Sequence, residues 1–347
     1  MEKAQHADEN PADIKAAERM AKLFDEIKKD NSDDSPDFSH GLNVFLSRIL
    51  FCFFAEDTNI FKSGQFTHGI SSHTQSDGSD LHDYLDILFE VLNTRTKKRR
   101  YLPEYLNDFP YVNGGLYSEK LKTPKFTRRS RQAIIDSGEL DWSAINPDIF
   151  GSMFQAVVDV DERGSLGMHY TSVPNIMKVI KPLFLDDLYE AFDKSIGNNK
   201  SLIKLADRLS KIKIFDPACG SGNFLIIAFK ELKRLEMEIF KELNSFTFSQ
   251  ITPSQFYGIE IDDFAHEIAK LSLWLTEHQM NIEFFNEFER VNPTLPLKKA
   301  GNITCANATR IDWNEVCPKE QDDEIYVLGN PPYLGSRNQE KLHKEDI

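Results

Sequence analysis

No two of the four cysteines (Cys52, Cys219, Cys305 and Cys317) form a CxxC pair. Scattered thiols of this kind supply no structural zinc set, and a reduced, cytoplasmic chain is the simplest expectation. Long apolar runs are missing too. The longest, Leu42–Ala55, is interrupted by Ser47 and Arg48 and falls short of the about 20 residues that cross a bilayer, so no membrane span is expected. The amino-terminal MEKAQHADENPAD is polar and lacks the apolar region of a secretory signal. Basic charge is in deficit: 41 Lys and Arg face 55 Asp and Glu, a formal net charge of −14. That balance argues against nucleic-acid binding spread over the whole surface, because phosphate contact needs clustered cations. No internal repeat and no low-complexity tract is present.

What remains is an ordinary globular composition of 347 residues, 40% hydrophobic and 28% charged, long enough for two domains. The first half reads as helical. After a polar lead-in over residues 1–16, Ala17–Lys28 carries Met20, Leu23, Phe24 and Ile27 at helical spacing. Asn31–Phe38 reads as a loop, and Leu42–Glu56 as a core helix that is apolar almost all round. Residues 57–79 read as an exposed loop and Asp80–Thr94 as an amphipathic helix. Two basic runs follow, Lys97–Arg100 and Thr127–Arg131; either suits phosphate, though a solvated helix end or loop is the ordinary reading. Gly114–Gly115 marks a turn, and Ile134–Val158 reads as broken helix interrupted at Pro147.

From about residue 165 strands alternate with longer helices. Ile212–Asp216, Phe256–Ile261, Ile303–Ala306 and Ile325–Gly329 read as strands; Asn175–Phe184, Asn223–Phe240 and Phe264–Thr276 read as helices. Such alternation predicts a parallel sheet with helices on both faces, preceded by an all-α domain, with a boundary near residue 160.

Three motifs lie at strand ends. Phe215–Phe224 (FDPACGSGNF) follows a strand and opens a helix, with Gly220 and Gly222 allowing close approach of a ligand to free helix N–H groups. It has neither the lysine of a phosphate loop nor a third spaced glycine, and Asp216 would repel a pyrophosphate but suit an ammonium group. Glu260, in YGIEID, ends the next strand, where an acid accepts hydrogen bonds from ribose hydroxyls and Ile261 can pack on an adenine. Asn330–Pro331–Pro332–Tyr333 follows the strand IYVLG. Its prolines force a rigid exit from the sheet, presenting an amide, a carbonyl and a ring suited to a planar amino-bearing base. Cys219 has no base beside it and reads as packing, and His169 as a local hydrogen-bonding residue, since no second ligand stands at i+3 or i+4.

Together these residues resemble the amino-methylating DNA methyltransferases, over roughly residues 150–335 and in family order. Asn307, in CANATRIDW, stands where that family has Asp or Asn near the cofactor adenine, and His169–Ser172 (HYTS) resembles its amino-terminal cofactor segment. In the first half, AERMAKLFDEI, LNVFLSRILFCFFAED and GGLY resemble the helical spacer of MmeI-like restriction–modification enzymes. The resemblance implies a γ-class N6-adenine DNA methyltransferase: a helical spacer over 1–160, then a Rossmann-like class I methyltransferase sheet over 161–347, incomplete at its carboxyl side. It implies S-adenosylmethionine as cofactor and no metal. The cofactor would be held by Tyr170, Thr171, Asp216, Pro217, Ala218, Cys219, Gly220, Gly222, Asn223, Glu260, Ile261 and Asn307, with Asn330, Pro331, Pro332 and Tyr333 catalytic.

Twenty-two residues separate Asn307 from Asn330, too few for a recognition domain, and 14 follow Tyr333. Double-stranded DNA is therefore expected to be read mainly by a carboxyl-terminal recognition domain outside this sequence. No nuclease signature is found in the first 160 residues, so any nuclease would be a separate domain or subunit. Methylation of an RNA base or a protein glutamine amide, and a cofactor-binding scaffold without catalysis, stay open at this point.

Overall fold

The computed structural model describes residues 11–31, 35–112, 115–146, 171–244, 248–289 and 301–331. The chain divides into two compact units, Met1–Glu162 with Leu295–Lys298, and Arg163–Thr294 with Lys299–Ile347. The expected boundary near residue 160 lies outside the described residues.

The first unit is helical. Helix α1 (Pro11–Asp30) buries Ala16, Met20, Leu23 and Ile27 on one stripe, and the Asn31 amide closes its end by donating to the Ile27 carbonyl at 2.8 Å. It starts inside the polar lead-in over residues 1–16. Helix α2 (Pro36–Asp57) also starts earlier than expected, inside the anticipated loop. Proline is favourable in a first helical turn, and the Ser35 hydroxyl caps it by accepting from the Phe38 N–H at 3.3 Å. Its middle is buried on every side from Val44 to Ala55, the polar Ser47 and Arg48 included. By length and composition α2 could cross a membrane, yet 78% of its apolar window is buried within the unit.

Residues 57–79 are not all loop. Helix α3 (Gln65–His73) lies within them and buries Phe66 and Ile70. Its start is capped from α2, not by its own residues: Glu56 accepts from the N–H groups of Phe66 and Thr67 at 2.6 and 3.0 Å and from the Thr67 hydroxyl at 2.5 Å. Helix α4 (Leu81–Asn93) buries Leu81, Tyr84, Leu85, Leu88 and Leu92, as its spacing predicts. A short α5 (Glu104–Asn107) and α6 (Arg128–Ser137) follow, and α6 packs against α1. The second basic run is therefore a helix start; Arg131 is buried and donates to the Thr74 hydroxyl and to the carbonyls of Ile70, Ser71 and Thr74.

The second unit is a mixed α/β unit. Helices α7 (Val173–Ile180), α8 (Asp186–Ser195) and α9 (Asn199–Lys211) lead into β1 (Ile212–Asp216). Then come α10 (Asn223–Glu242), β2 (Phe256–Glu260), α11 (Asp263–Phe288), β3 (Asn302–Cys305), α12 (Trp313–Val316) and β4 (Glu324–Val327). The four strands form one sheet in the order β3-β2-β1-β4, and every pairing is parallel. Helix α11 runs well past the expected end at Thr276, because Met280, Phe284 and Phe288 continue its buried stripe against Phe240.

Side chains alternate across a strand, so Ile212 and Ile214 of β1 join Phe256 of β2 in a large core shared with α7 to α11. Phe215, Tyr257 and Ile259 face the other way, into a small cluster with Val316 and Cys317. Helices on both faces were expected. Among the described residues the long helices occupy one face, and only the short α12 with its flanking loop covers the other.

Candidate active site

Strand β1 ends at Asp216, whose carboxylate is buried. Its Oδ1 accepts from the Ala218 N–H at 3.0 Å, whereas Oδ2 is buried with no hydrogen-bond partner. Burial pushes this carboxyl up to about 7; the neighbouring Glu260 charge adds to the rise and the Ala218 N–H opposes it. A buried, unmatched carboxylate oxygen is costly and is what a cation would relieve.

The turn that follows uses left-handed backbone at Gly220 (φ +52°) and Gly222 (φ +87°). A Cβ on Gly220 would meet no heavy atom within 4 Å, so the space above it is open, whereas one on Gly222 would press on the Ala269 Cβ at 3.3 Å. The Cys219 N–H donates to the Ile259 carbonyl at 3.0 Å and stitches the turn to β2. The Cys219 thiol is buried where Gly258 has no side chain: a Cβ on Gly258 would lie 2.8 Å from its sulfur. Burial, then the charges of Asp216 and Glu260, raise that thiol well above its ordinary range, which leaves it no nucleophile. Pro217 and Ala218 are half-buried in the turn, and the buried Asn223 begins α10.

Glu260 ties two loops together. Its Oε2 accepts from the Gly220 N–H at 2.7 Å and its Oε1 from the Asp262 N–H at 2.9 Å. Burial raises this carboxyl and the two N–H groups oppose the rise. Beside it Ile261 is 69% exposed, an apolar side chain left open at the rim. The Glu260 carbonyl accepts from the Ala306 N–H at 2.9 Å, which brings Asn307 to the same strand end. Asn307 is half-buried, and its carboxamide oxygen shapes the local turn by accepting from the Thr309 N–H and hydroxyl at 3.0 and 2.7 Å.

The exit of β4 completes the cluster. The Leu328 N–H donates to the Phe215 carbonyl at 3.0 Å, and Gly329 then packs directly on Asp216, so that a Cβ there would fall 2.4 Å from Oδ1. Asn330 and Pro331 are exposed. The Asn330 amide nitrogen donates to the Thr171 hydroxyl at 3.2 Å, although 159 positions separate the two residues. Asp216 to Asn223, Glu260, Ile261, Asn307, Thr171, Asn330 and Pro331 thus gather at the carboxyl ends of the parallel strands, where open α/β sheets bind ligands. Tyr170, Pro332, Tyr333 and His169 lie outside the described residues.

Two features escaped the sequence reading. Gly329 read only as a strand end, and nothing local signals its contact with Asp216. Asp263, His266 and Cys305 each bring a ligand-type atom within 4.8 Å of one another. Asp263 and His266 stand one turn apart on α11 whereas Cys305 ends β3, so the spacing of the first two does not announce the third, and His266 Nε2 already lies 3.3 Å from the Ile303 carbonyl oxygen.

Residues 192–347 match the family described as the MmeI DNA-methyltransferase domain, and residues 40–117 match the MmeI helicase spacer domain. DNA methyltransferase A of Bacillus subtilis (strain 168) is 54% identical over 354 residues, covering 100% of this chain and 40% of that protein. A putative type II restriction enzyme and methyltransferase of Methanocaldococcus jannaschii is 29% identical over 332 residues, covering 78% of this chain and 27% of that one. Among solved structures, that of the Type IIL restriction-modification enzyme MmeI in complex with DNA superposes with a TM-score of 0.86 at 44% identity, over 96% of this chain and 45% of that one. The chain therefore spans less than half the length of each of these relatives.

Proposed function

Because the chain belongs to the MmeI-like methyltransferases, we propose that it transfers a methyl group from S-adenosylmethionine to the exocyclic N6 of an adenine flipped out of double-stranded DNA, as part of a restriction–modification system. A base must leave the stack before its amino group can be reached by such a site. Sequence recognition, and any cutting of DNA, are assigned to protein outside this sequence.

The residues present fit the cofactor. An ammonium group beside Asp216 would match the buried oxygen that lacks a partner. The open space over Gly220 admits the methionine portion. Glu260 is an acceptor held in place by two N–H groups and suits ribose hydroxyls, while the exposed Ile261 offers an apolar surface to adenine, with Asn307 at its edge. Thr171, with Tyr170, would contact the carboxylate end. When bound, S-adenosylmethionine supplies an already activated methyl group on a sulfonium, so no metal is called for.

Asn330 then does the positioning. With its amide nitrogen on the Thr171 hydroxyl, its oxygen remains to accept from the base amino group. The Pro331 carbonyl would accept the second N6 proton, and Tyr333 would stack on the base, with Pro332 stiffening the loop. Two acceptors on the amino protons direct the nitrogen lone pair at the methyl group and stabilise the positive charge that grows on nitrogen. The rest of the rate comes from holding the two reactants in line. The observation that carries this reading is the packing of Gly329 on Asp216, which makes the base-binding loop and the donor turn immediate neighbours.

The test has two readings. Titration with S-adenosylmethionine should saturate at one site and weaken on Asp216→Ala and Glu260→Gln. Asn330→Ala should leave that binding intact yet slow methyl transfer to duplex DNA by about 10²–10³-fold. A chain that takes up no S-adenosylmethionine, or an Asn330→Ala variant of unchanged rate, would refute the assignment. Transfer to RNA or to a glutamine amide in place of DNA would change the substrate and leave the donor site standing.

A further inference from the structure

The helical unit carries a surface that the methyl-transfer site does not use. Residues 95–100 read RTKKRR, five cations in six positions within a chain of net charge −14. Arg99 is the anchor of this strap. Its guanidinium donates to the carbonyls of Val91 (2.8 Å), Thr94 (2.9 Å), Asn107 (2.9 Å) and Phe109 (2.7 Å), pinning the strap between α4 and the α5 loop. Of the other four cations, Arg95 lies over the Tyr111 ring at 6.0 Å, and Lys97, Lys98 and Arg100 are exposed and form no ion pair among the described residues. Tyr101 follows, wholly exposed and in left-handed backbone at φ +57°. A bulky residue rarely adopts that conformation, and here it holds an aromatic ring in solvent.

The neighbouring surface continues the pattern. A hollow of ≈ 250 Å³ is lined by Lys62, His68, His73 and Tyr105, among others, and the rings of His73 and Tyr105 stack with centroids 3.7 Å apart. One carboxylate, Asp108, borders it and is already paired with Lys62 at 2.7 Å. The second basic run differs, because there Arg131 is spent on buried carbonyls. Clustered, unpaired cations interleaved with exposed rings are the signature of a surface that tracks a phosphate backbone.

We propose that the Arg95–Tyr101 strap is a phosphate-contacting surface for duplex DNA, with Lys97, Lys98 and Arg100 on the phosphates and Tyr101 against the sugars. The choice of DNA rests on the function proposed above; the basic and aromatic character of the strap does not.

The test measures anisotropy of a labelled duplex bound by the full chain across a salt series. Each lost phosphate contact flattens the slope of log affinity against log salt by about 0.9. Lys97→Ala/Lys98→Ala/Arg100→Ala should therefore flatten it by about two to three and weaken binding at least about tenfold at 0.1 M salt. Lys97→Arg/Lys98→Arg/Arg100→Lys keeps every charge and should stay within about twofold. Tyr101→Ala should weaken binding without changing the slope. Unchanged affinity and slope in the triple alanine variant overturn the proposal. So does equal weakening in the charge-keeping variant, or binding to phosphatidylglycerol vesicles with none to duplex. Uptake of S-adenosylmethionine by the same samples separates the two readings: a chain that binds the cofactor but no duplex loses the strap and keeps the donor site, and the reverse pattern loses the donor site.

Discussion

Replacing Asp216 by Asn should stabilise the protein at pH 8 and impair its function, with both effects set by one buried carboxylate. In the folded chain that carboxyl is raised from 3.8 to about 7 by burial. A group whose folded pKa lies above its unfolded value binds more protons when folded, so stability falls as pH rises from about 4 to about 7. At 1.36 kcal/mol per pKa unit, ionised Asp216 costs close to nothing at pH 3 and about 4 kcal/mol at pH 8. Asparagine keeps the oxygen that accepts from the Ala218 N–H but places an N–H₂ where Oδ2 has no partner, a fixed cost of about 1–2 kcal/mol. Asp216→Asn should therefore be the less stable form near pH 4 and the more stable one, by about 2–3 kcal/mol, at pH 8. Urea midpoints of both proteins across that range give the comparison. Binding of S-adenosylmethionine should weaken by about 10–100-fold at pH 8, since a charge-assisted hydrogen bond is worth about 1.5–3 kcal/mol. In the parent protein an arriving ammonium group should release part of a proton near pH 7, visible as a buffer-dependent binding heat. A stability difference independent of pH would refute the buried-charge argument. A pH-dependent difference with unaltered cofactor binding would refute the ammonium assignment alone.

Two further outcomes follow from the packing. Gly329→Ala forces a methyl to within 2.4 Å of Asp216 Oδ1; it should cost about 1–3 kcal/mol of stability and weaken cofactor binding, read by thermal melting with and without S-adenosylmethionine. Glu56→Ala leaves the buried N–H groups of Phe66 and Thr67 without their acceptor. It should cost about 3 kcal/mol and open residues 62–79 to protease first, while Glu56→Gln should recover most of the loss.

The site was legible where its chemistry is local. The glycines of the turn after β1, the acid closing β2 and the two prolines after β4 each announce themselves within a few residues. Their strands follow from short apolar runs, and the register of three parallel pairings puts those runs side by side. What stayed hidden depends on distant partners. Helix α3 has only two strongly apolar positions and takes its cap from Glu56, so nothing in residues 57–79 marks its start. Helix α11 reads as ending where its continuous apolar run thins at Glu277, yet widely spaced Met280, Phe284 and Phe288 keep it going against Phe240. The bond from Asn330 to Thr171 joins opposite ends of the unit's sequence, and no pattern within either segment encodes it. The unequal covering of the two sheet faces likewise depends on where each connection crosses, which alternation of strands and helices leaves undetermined.

The sulfur of Cys219 and the bare backbone of Gly258 occupy one volume between the turn and β2. Neither position can drift alone. A side chain gained at 258 displaces the sulfur and tilts the turn away from Asp216 and Glu260, whereas a side chain lost at 219 opens a void under the turn. Ile303, whose Cδ1 would lie 3.0 Å from the same added Cβ, closes the third side of this volume, so a gain of size at 258 becomes tolerable only after Cys219 and Ile303 have both given way. The order in which substitutions arrive thus governs which variants of this turn can be reached through functional intermediates.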